Sequence, residues 1–232
     1  FIEYSGSGEI VENLKFGASD GALNDQFGYS VDTVEGGPGE GIYALVGSPN
    51  DTSAYLFQNK FDTTGWQQKQ KLTASDGTVS GFASAVSIAS GSDGIYMLVG
   101  DLNNTEAGLG AGAAYLYHSK SSEPFYIDSG GLTNQRWQTK ITASDLAAFD
   151  TFGSDVSIDF GTDGVYMLIS SLQTNGATGA AYLYHSKSSE PFYIDSGGLT
   201  NQRWQTKITA SDGTGGDFLE GVSIVSGTDG VY

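Results

Sequence analysis

Apolar and polar residues alternate along this chain in short runs that end at glycine, serine, asparagine or aspartate. In the run AAYLYH, for example, Tyr115 and Tyr117 alternate with Leu116. A two-residue period places successive side chains on opposite faces of a β-strand. No stretch shows the three-and-four spacing of apolar residues that an amphipathic helix requires. The pattern therefore predicts a protein of many short strands.

Four such runs recur in a fixed order. In one copy they read FGSDVSI, GVYMLIS, AAYLYH and WQTKITASD. The first run starts at Phe27, Phe82, Phe152 and Phe218, so the repeat is about 55 to 70 residues long. Residues 9–21 resemble a worn copy of the fourth run. Four strands in each repeat of this length are typical of β-propeller blades.

We predict an all-β fold, a β-propeller built of four-stranded antiparallel blades, with three complete blades plus partial blades at both ends. The predicted single domain covers 1–232, with complete blades at approximately 22–77, 78–145 and 146–212 and partial blades at 1–21 and 213–232. An open blade exposes unpaired backbone groups, so three arrangements are considered. The chain is part of a longer propeller, or residues 9–21 close a four-bladed ring with the blade begun at Phe218, or neighbouring chains complete one another's partial blades.

One long segment of the chain is an unchanged duplicate. The 34-residue string at 112–145 recurs at 179–212. It contains an insert between the third and fourth runs, HSKSSEPFYIDSGGLTNQRW, which is about twice as long as QNKFDTTGW in the first repeat. Aromatic residues in a loop of a rigid scaffold predict a contact surface, here formed by Phe125, Tyr126, Phe192 and Tyr193. The alternative is that they fold back over the outer edge of the blade.

The charge balance excludes several classes of partner. The chain has 27 acidic and 10 basic side chains and a net charge of −17, so it cannot supply the basic surface that nucleic acid or an anionic membrane requires. It has no cysteine, which excludes disulfides and thiolate chemistry. No apolar run reaches the ~18 to 20 residues that cross a bilayer, so no membrane insertion is expected. The chain begins at Phe1 without a leader pattern, so any secretion signal is expected to have been removed or to lie outside this sequence.

The succession of KLTASDG, FGSDVSI, YMLVG and GAAYLY resembles the FG-GAP repeat, in particular its calcium-poor variety related to the integrin α-chain propeller. The resemblance covers nearly all of the chain. It implies a propeller, usually of about seven blades, that works outside the cell in adhesion, ligand binding or assembly rather than in catalysis. The glycine after the repeat's phenylalanine is kept at Gly28 and Gly153 but replaced by Ala83 and Leu219, which predicts a weaker tight turn in those two copies.

In calcium-binding members of that family, the loop between the first two runs carries alternating carboxylates before Asp-Gly. A calcium ion takes about six to eight oxygen ligands. One copy here keeps Asp159 and Asp163, another keeps Asp93, and the first has Glu35 and Glu40. Asp159 and Asp163 are therefore the candidate calcium ligands, and the alternative is that Asp-Gly forms a plain hairpin turn. No other cofactor is expected.

Two further motifs bear on chemistry. His118 and His185 occupy the same position of the duplicated segment, beside serine and glutamate in HSKSSE. Proximity along the chain supplies neither the buried acid nor the oxyanion hole of a catalytic triad, so no catalytic residue is predicted. The triplets that begin at Asn50 and Asn103 are N-glycosylation acceptors in equivalent loops, and we predict glycosylation at both.

These patterns together predict a non-enzymatic extracellular module, structural or adhesive, at the cell surface. Its expected partners are other protein chains, including copies of itself. The alternative is a lectin-like propeller that binds cell-surface glycans through exposed aromatics such as Tyr126 and Tyr193. An enzyme with its site in the central channel is the third class, and no clustered set of histidines or carboxylates in the sequence recommends it.

Overall fold

The structure, a computed structural model, describes residues 2–4, 10–12, 15–62, 65–77, 81–120, 138–173, 178–187, 193–195, 198–200, 205–212, 219, 221–227 and 230–232. These residues form β-strands and loops, and the one helical element among them is a 3-10 turn at Pro49–Asp51. The prediction of an all-β fold is confirmed. None of the described residues belongs to a helix that is long and apolar enough to cross a membrane.

Three antiparallel sheets of four strands form the body of the protein. The first sheet contains β3 (Val31–Glu35), β4 (Ile42–Ser48), β5 (Ser53–Asn59) and β6 (Trp66–Leu72). The second contains β7 (Phe82–Gly91), β8 (Gly94–Asp101), β9 (Ala113–Lys120) and β10 (Gln138–Ile141). The third contains β11 (Phe152–Gly161), β12 (Gly164–Ser171), β13 (Ala180–Lys187) and β16 (Gln205–Ile208). These sheets are the predicted propeller blades, and we number them blades 1 to 3.

Three two-stranded hairpins accompany the blades. They pair β1 (Ile2–Tyr4) with β2 (Ile10–Glu12), β14 (Tyr193–Asp195) with β15 (Gly198–Thr200), and β17 (Ser226–Gly227) with β18 (Gly230–Val231). The β17–β18 hairpin corresponds in sequence to the first two strands of a further blade. A reciprocal pair of backbone hydrogen bonds between Val225 and Tyr232 extends the pairing of this hairpin by one residue on each strand.

The blade's own sequence pattern explains its internal packing. The phenylalanine that starts each repeat meets the first tyrosine of the third strand edge to face, which is a favoured aromatic geometry. The pairs are Phe27 with Tyr55, Phe82 with Tyr115 and Phe152 with Tyr182, at ring-centroid distances of 5.7, 5.5 and 5.4 Å. The last two pairs are fully buried, so each blade carries the same aromatic anchor.

The hydrophobic core lies between the faces of neighbouring blades. Leu45 and Leu56 of blade 1 pack with Val86 and Met97 of blade 2 in one buried cluster. A second cluster joins blades 2 and 3, with Leu98, Leu116, Val156, Ile158 and Met167 among its members. Because blade 2 is covered on both faces, strand β7 is buried along most of its length, whereas β3 is alternately exposed and half-buried. Removal of this apolar surface from water stabilises the stack of blades.

Residues 15–21 cover the outer face of blade 1 without forming a strand. The Phe16 ring stacks on Trp66 at a centroid distance of 5.0 Å and meets Phe57 at 4.7 Å. The strand β2 (Ile10–Glu12), which falls in the predicted fourth-run copy at 9–21, pairs with β1 (Ile2–Tyr4) instead of with a blade. The resemblance of this segment to a fourth run is thus expressed in its side-chain contacts, and its backbone follows another path.

The turn after the repeat's phenylalanine keeps one conformation in the first three repeats, although alanine replaces glycine in the second. Gly28 and Gly153 have φ angles of +92° and +83°, and Ala83 has a φ angle of +66°. This left-handed region disfavours any side chain that has a Cβ atom. Ala83 is fully buried, so packing between blades 1 and 2 holds it in this conformation.

Candidate functional site

Consecutive blades are joined by a recurring cluster that we call the latch. It consists of the aspartate that follows the fourth strand of one blade, with a tyrosine from the third strand and a lysine from the fourth strand of the next. In the latch between blades 1 and 2, Tyr115 donates a hydrogen bond of 2.7 Å to Asp76, and Lys140 donates one of 2.5 Å. In the latch between blades 2 and 3, Asp145 accepts from Tyr182 at 3.0 Å and from Lys207 at 2.6 Å.

The segment at 15–21 supplies the same latch to blade 1. Asp20 accepts hydrogen bonds from Tyr55 at 2.9 Å and from Lys71 at 2.7 Å. Asp51 lies 2.9 Å from the same Lys71 Nζ and adds a second carboxylate. All three latch lysines also lie over the ring of their latch tyrosine, between 5.3 and 5.7 Å from its centroid, which adds a cation–π attraction.

The latch keeps its aspartate ionised and its tyrosine neutral. The hydrogen bond from Lys71 lowers the pKa of Asp20. Burial opposes ionisation of Asp76 and Asp145, yet hydrogen bonds from their lysine and tyrosine partners outweigh it, and the pKa of each carboxyl lies below its usual value. Burial raises the pKa of Tyr115. Each latch is therefore a charge-assisted contact, two of them between consecutive blades and the first between the segment at 15–21 and blade 1.

We predict that Asp145→Asn lowers the free energy of unfolding by about 1–2 kcal/mol at pH 7, because Tyr182 and Lys207 lose a charged acceptor. The folded-state pKa of Asp145 is depressed, so its stabilisation is present above the unfolded value of about 3.9 and is lost as the pH falls below it. The difference between variant and wild type, measured by urea unfolding, should shrink as the pH falls below about 4. Asp212→Asn, at the exposed equivalent position of the duplicate, is the matched control. An equal loss in both variants would contradict the latch.

Side chains in the first strand of one blade also accept hydrogen bonds from the backbone of the first strand of the next blade. Asp32 of β3 accepts a hydrogen bond from the Ile88 backbone N–H of β7 at 2.9 Å and one from the Ser87 hydroxyl at 2.9 Å. The Ser87 hydroxyl oxygen in turn accepts from the Ile158 N–H of β11 at 3.2 Å. These bonds place the first strands of consecutive blades side by side, with the fourth strands outermost.

The capping continues from blade 3 to the last hairpin. Asp155 accepts from the Val222 N–H at 2.7 Å, and Ser157 accepts from the Ile224 N–H at 3.0 Å. Asp159 accepts from both the N–H and the hydroxyl of Ser226, at 2.5 and 2.6 Å. Backbone donors of β7, of β11 and of residues 222–226 are thereby satisfied across the junctions.

A second recurring cluster stands at the hairpin between the first two strands. In blade 3, Tyr166 donates a hydrogen bond of 2.7 Å to Asp163 and stacks on the His185 ring at a centroid distance of 4.0 Å. The His185 Nε2 lies 3.3 Å from the same carboxylate. The hydrogen bond to Asp163 is the largest cause that raises the pKa of Tyr166 to about 12. In blade 2 the equivalent residues are Asp93, Tyr96 and His118.

A comparison of the sequence with models of known protein families finds one family, at two segments of the chain. Residues 66–117 and 136–184 match the family model of the FG-GAP repeat. These two segments are FG-GAP repeats. No curated protein matches the chain in a sequence search. The relation to the integrin α-chain propeller stays a prediction.

Each FG-GAP match straddles a blade junction. It begins at or just before the fourth strand of one blade and ends in the third strand of the next. The first match contains Asp76 and Tyr115 of one latch, and the second contains Asp145 and Tyr182 of the next. The FG-GAP sequence repeat is thus the unit that joins two blades, and the structural blade is offset from it by one strand.

The structure gives the two candidate calcium ligands different partners. Asp159 lies in β11 and accepts from Ser226, whereas Asp163 lies in the following turn and binds Tyr166. Among the described residues no group of three or more His, Asp or Glu side chains is arranged to hold a metal ion. Calcium binding at Asp159 and Asp163 stays a prediction.

The predicted glycosylation positions lie in equivalent loops, as expected from sequence. Asn50 is in the loop between β4 and β5, and Asn103 is in the loop between β8 and β9; both residues are exposed. The Asn50 side chain donates a hydrogen bond of 2.8 Å to the Asn24 carbonyl. Glycosylation itself stays a prediction.

Most residues of the predicted aromatic contact surface lie outside the part of the chain that the structure describes. Phe125, Tyr126 and Phe192 lie outside the described residues. Tyr193 begins β14, where its backbone pairs with Thr200. Sequence reasoning missed the latches, although ASD recurs before each third-strand tyrosine at a nearly constant separation, and that spacing was the available signal.

Proposed function

We propose that this FG-GAP repeat protein is a non-enzymatic extracellular module, structural or adhesive, that makes contacts with other protein chains. FG-GAP repeats indicate a β-propeller that acts in protein interaction, and the family is typically extracellular and without catalytic activity. The first partner we propose is a second copy of this chain, because a repeated surface offers repeated equivalent contacts.

The observation that supports this proposal is the placement of the two identical inserts. One insert connects β9 to β10 in blade 2, and the other connects β13 to β16 in blade 3. Both leave the scaffold beside the outermost strand, and they are related by one step between blades. Two copies of one sequence at a fixed separation form a bivalent surface, whose second contact is strengthened by effective concentration.

The latches support the same function by making the scaffold rigid. Each latch fixes the fourth strand of one blade to the third and fourth strands of the next. Strands β10 and β16, which receive the two inserts, both carry a latch lysine, Lys140 or Lys207. The separation between the insert attachment points is therefore fixed before any partner binds, which reduces the entropic cost of binding.

The charge of −17 limits the chemistry of the partner. Surfaces of the same sign repel over about 10 Å at 0.1 M salt. Contacts between copies are therefore expected to strengthen as salt rises, whereas contacts with a basic partner are expected to weaken.

The test is the assembly state of the protein, measured by light scattering and sedimentation over a range of salt and protein concentrations, with and without a calcium chelator. We expect defined oligomers, and we expect the combined variant Phe125→Ala, Tyr126→Ala, Phe192→Ala and Tyr193→Ala to be monomeric. Phe61→Ala, which removes an exposed aromatic from the short equivalent loop of blade 1, is the matched control. A monomer at every concentration would overturn the self-assembly proposal, and binding on a glycan array would then favour the lectin-like alternative.

A further inference from the structure

The junction between blades 2 and 3 contains an aromatic ring that lies over a glycine. The Phe160 ring approaches Gly91 so closely that a Cβ atom on Gly91 would lie 2.7 Å from two ring carbons. The same ring stacks on Tyr96 at a centroid distance of 5.6 Å, and Tyr96 stacks on His118 at 3.9 Å. Three rings are thus layered at this junction, and Phe160 is the outer one.

The junction between blade 3 and the β17–β18 hairpin has the equivalent tyrosine and histidine rings, but it has no ring at the position of Phe160. Gly161 stands at the position of Gly91, and Tyr166 stacks on His185 as Tyr96 stacks on His118. Ser226 stands at the position of Phe160, and its Cβ lies 3.3 Å from the point where a Cβ on Gly161 would be. A serine leaves much of the space of a phenyl ring unfilled, and a cleft of about 390 Å³ opens there, lined by Phe160, Gly161, Thr162, Ser226 and Gly227.

We propose that this cleft binds an aromatic side chain of a partner protein, in the place that Phe160 fills at the preceding junction. The inference rests on the proposed function as a protein-contact module and names one of its contact sites. The occupied junction shows that this geometry accepts a phenyl ring, stacked at an interplanar angle of 27° on the tyrosine. Offset stacking of this kind is favoured between aromatic rings beyond the burial of area.

The walls of the cleft suit an aromatic ring. The exposed lining is mostly apolar, and Gly161 and Gly227 allow close approach because they have no Cβ. Asp163 fixes the Tyr166 hydroxyl at 2.7 Å, so the tyrosine ring is oriented before the ligand arrives. The Ser226 hydroxyl and N–H are both engaged by Asp159, which leaves the apolar contacts to select the ligand.

The pKa values of the two equivalent tyrosines also indicate that Tyr166 is less covered by its neighbours than Tyr96 is. Burial is the largest cause of the raised pKa of Tyr96, whereas at Tyr166 the hydrogen bond to Asp163 comes before burial. Tyr166 is thus the less desolvated of the two equivalent tyrosines. Asp159 and Asp163 also place two carboxylates beside the cleft, which favours an aromatic residue flanked by lysine or arginine.

The test uses the full chain and the peptide acetyl-Lys-Phe-Lys-amide, with acetyl-Lys-Leu-Lys-amide as the control peptide, titrated by calorimetry and by NMR. Ser226→Phe should fill the cleft as Phe160 does and weaken binding about tenfold or more. Val225→Phe, which adds the same ring at the exposed neighbouring position outside the cleft, should bind like wild type. Thermal unfolding checks that the Ser226→Phe variant is folded, and peptide-induced NMR shifts at Tyr166 in wild type locate the site independently of that variant.

Three results would overturn the proposal: no binding of the aromatic peptide, equal binding of the leucine peptide, or displacement of the peptide by methyl glycosides. The last would assign the cleft to a sugar. The variant without the four insert aromatics should still bind the peptide, and Ser226→Phe should still assemble. Failure of the cleft and failure of insert-mediated assembly are thereby distinguished.

Discussion

We expect Gly100→Ala to lower the free energy of unfolding by about 3 kcal/mol or more, which is at the upper end for an overpacked core position. Gly100 lies in β8 of blade 2, and a Cβ atom there would be 2.1 Å from the Gly153 carbonyl oxygen of blade 3. Gly47 of blade 1 has the same relation to the Ala83 carbonyl oxygen of blade 2, at 2.2 Å. Because the obstacle is backbone, no side-chain rotation relieves the clash, and the two blades must separate. Their shared core then loses its close packing.

Urea unfolding at pH 7 measures this effect, followed by the change in aromatic fluorescence or circular dichroism. Gly17→Ala is the matched control, since Gly17 is exposed and a Cβ there meets no atom within 4 Å. We expect the control to change stability by less than about 0.5 kcal/mol. A Gly100→Ala variant within 1 kcal/mol of wild type would show that the blades are not held at the spacing described.

The second large effect is expected from a buried carboxyl at the end of β8. The Asp101 side chain is inaccessible to solvent. Asn104 donates a hydrogen bond of 3.2 Å to its Oδ2, and a hydrogen bond from the Asn103 backbone also favours the ionised form. Burial is the largest cause that raises the pKa of Asp101 to about 6. The other two blades place Ser48 and Ser171 at this position, so the buried charge is particular to blade 2.

Asp101→Asn should therefore stabilise the protein at neutral pH. When the folded-state pKa of a carboxyl is raised, its ionisation lowers the free energy of unfolding. This loss is absent below the unfolded pKa of about 3.9 and is complete above the folded pKa. The rise from about 4 to about 6 corresponds to about 3 kcal/mol. The stability difference between Asp101→Asn and wild type should grow from near zero at pH 4 to about 3 kcal/mol above pH 6.5, measured by urea unfolding across this range. A difference that does not change with pH would show that Asp101 is not the titrating group.

Asp101 and the latch aspartates act in opposite directions on the pH dependence of the wild type. The pKa of Asp76, Asp145 and Asp20 is lowered, so their contribution is lost in acid, whereas ionisation of Asp101 is costly above pH 6. The wild type should accordingly be most stable between about pH 4 and pH 6. The two single variants, Asp145→Asn and Asp101→Asn, separate these contributions.

The turn glycines show where sequence reasoning was incomplete. The change from glycine to alanine at position 83 predicts a weaker tight turn, yet Ala83 keeps the left-handed φ of +66°. Its neighbours in the core between blades 1 and 2, among them Phe82 and Val86, hold it in place. Local conformational preference was therefore overridden by packing, which no single turn sequence reports.

The candidate calcium pair shows the same limit for side chains. Asp159 and Asp163 are four residues apart, which suggested a common ligand, but the first lies in a strand and the second lies in a turn. Asp159 points to Ser226 of the following hairpin, and Asp163 points to Tyr166 of its own blade. Spacing along the chain did not tell which of these neighbours would be nearest, because Ser226 lies 67 residues away.

The sequence by itself determined the strands, their number in each blade and the FG-GAP repeat, because a two-residue alternation, a glycine turn and a recurring motif are local features. Only the tertiary structure decided the latches, the caps between first strands and the cleft beside Gly161. These depend on how each blade is rotated onto the one before it. That rotation is set by the packing of whole sheet faces and by glycine contacts such as that of Gly100 with the Gly153 carbonyl. Asp76 and Tyr115 are 39 residues apart, and the packing of blade 1 on blade 2 brings them to 2.7 Å.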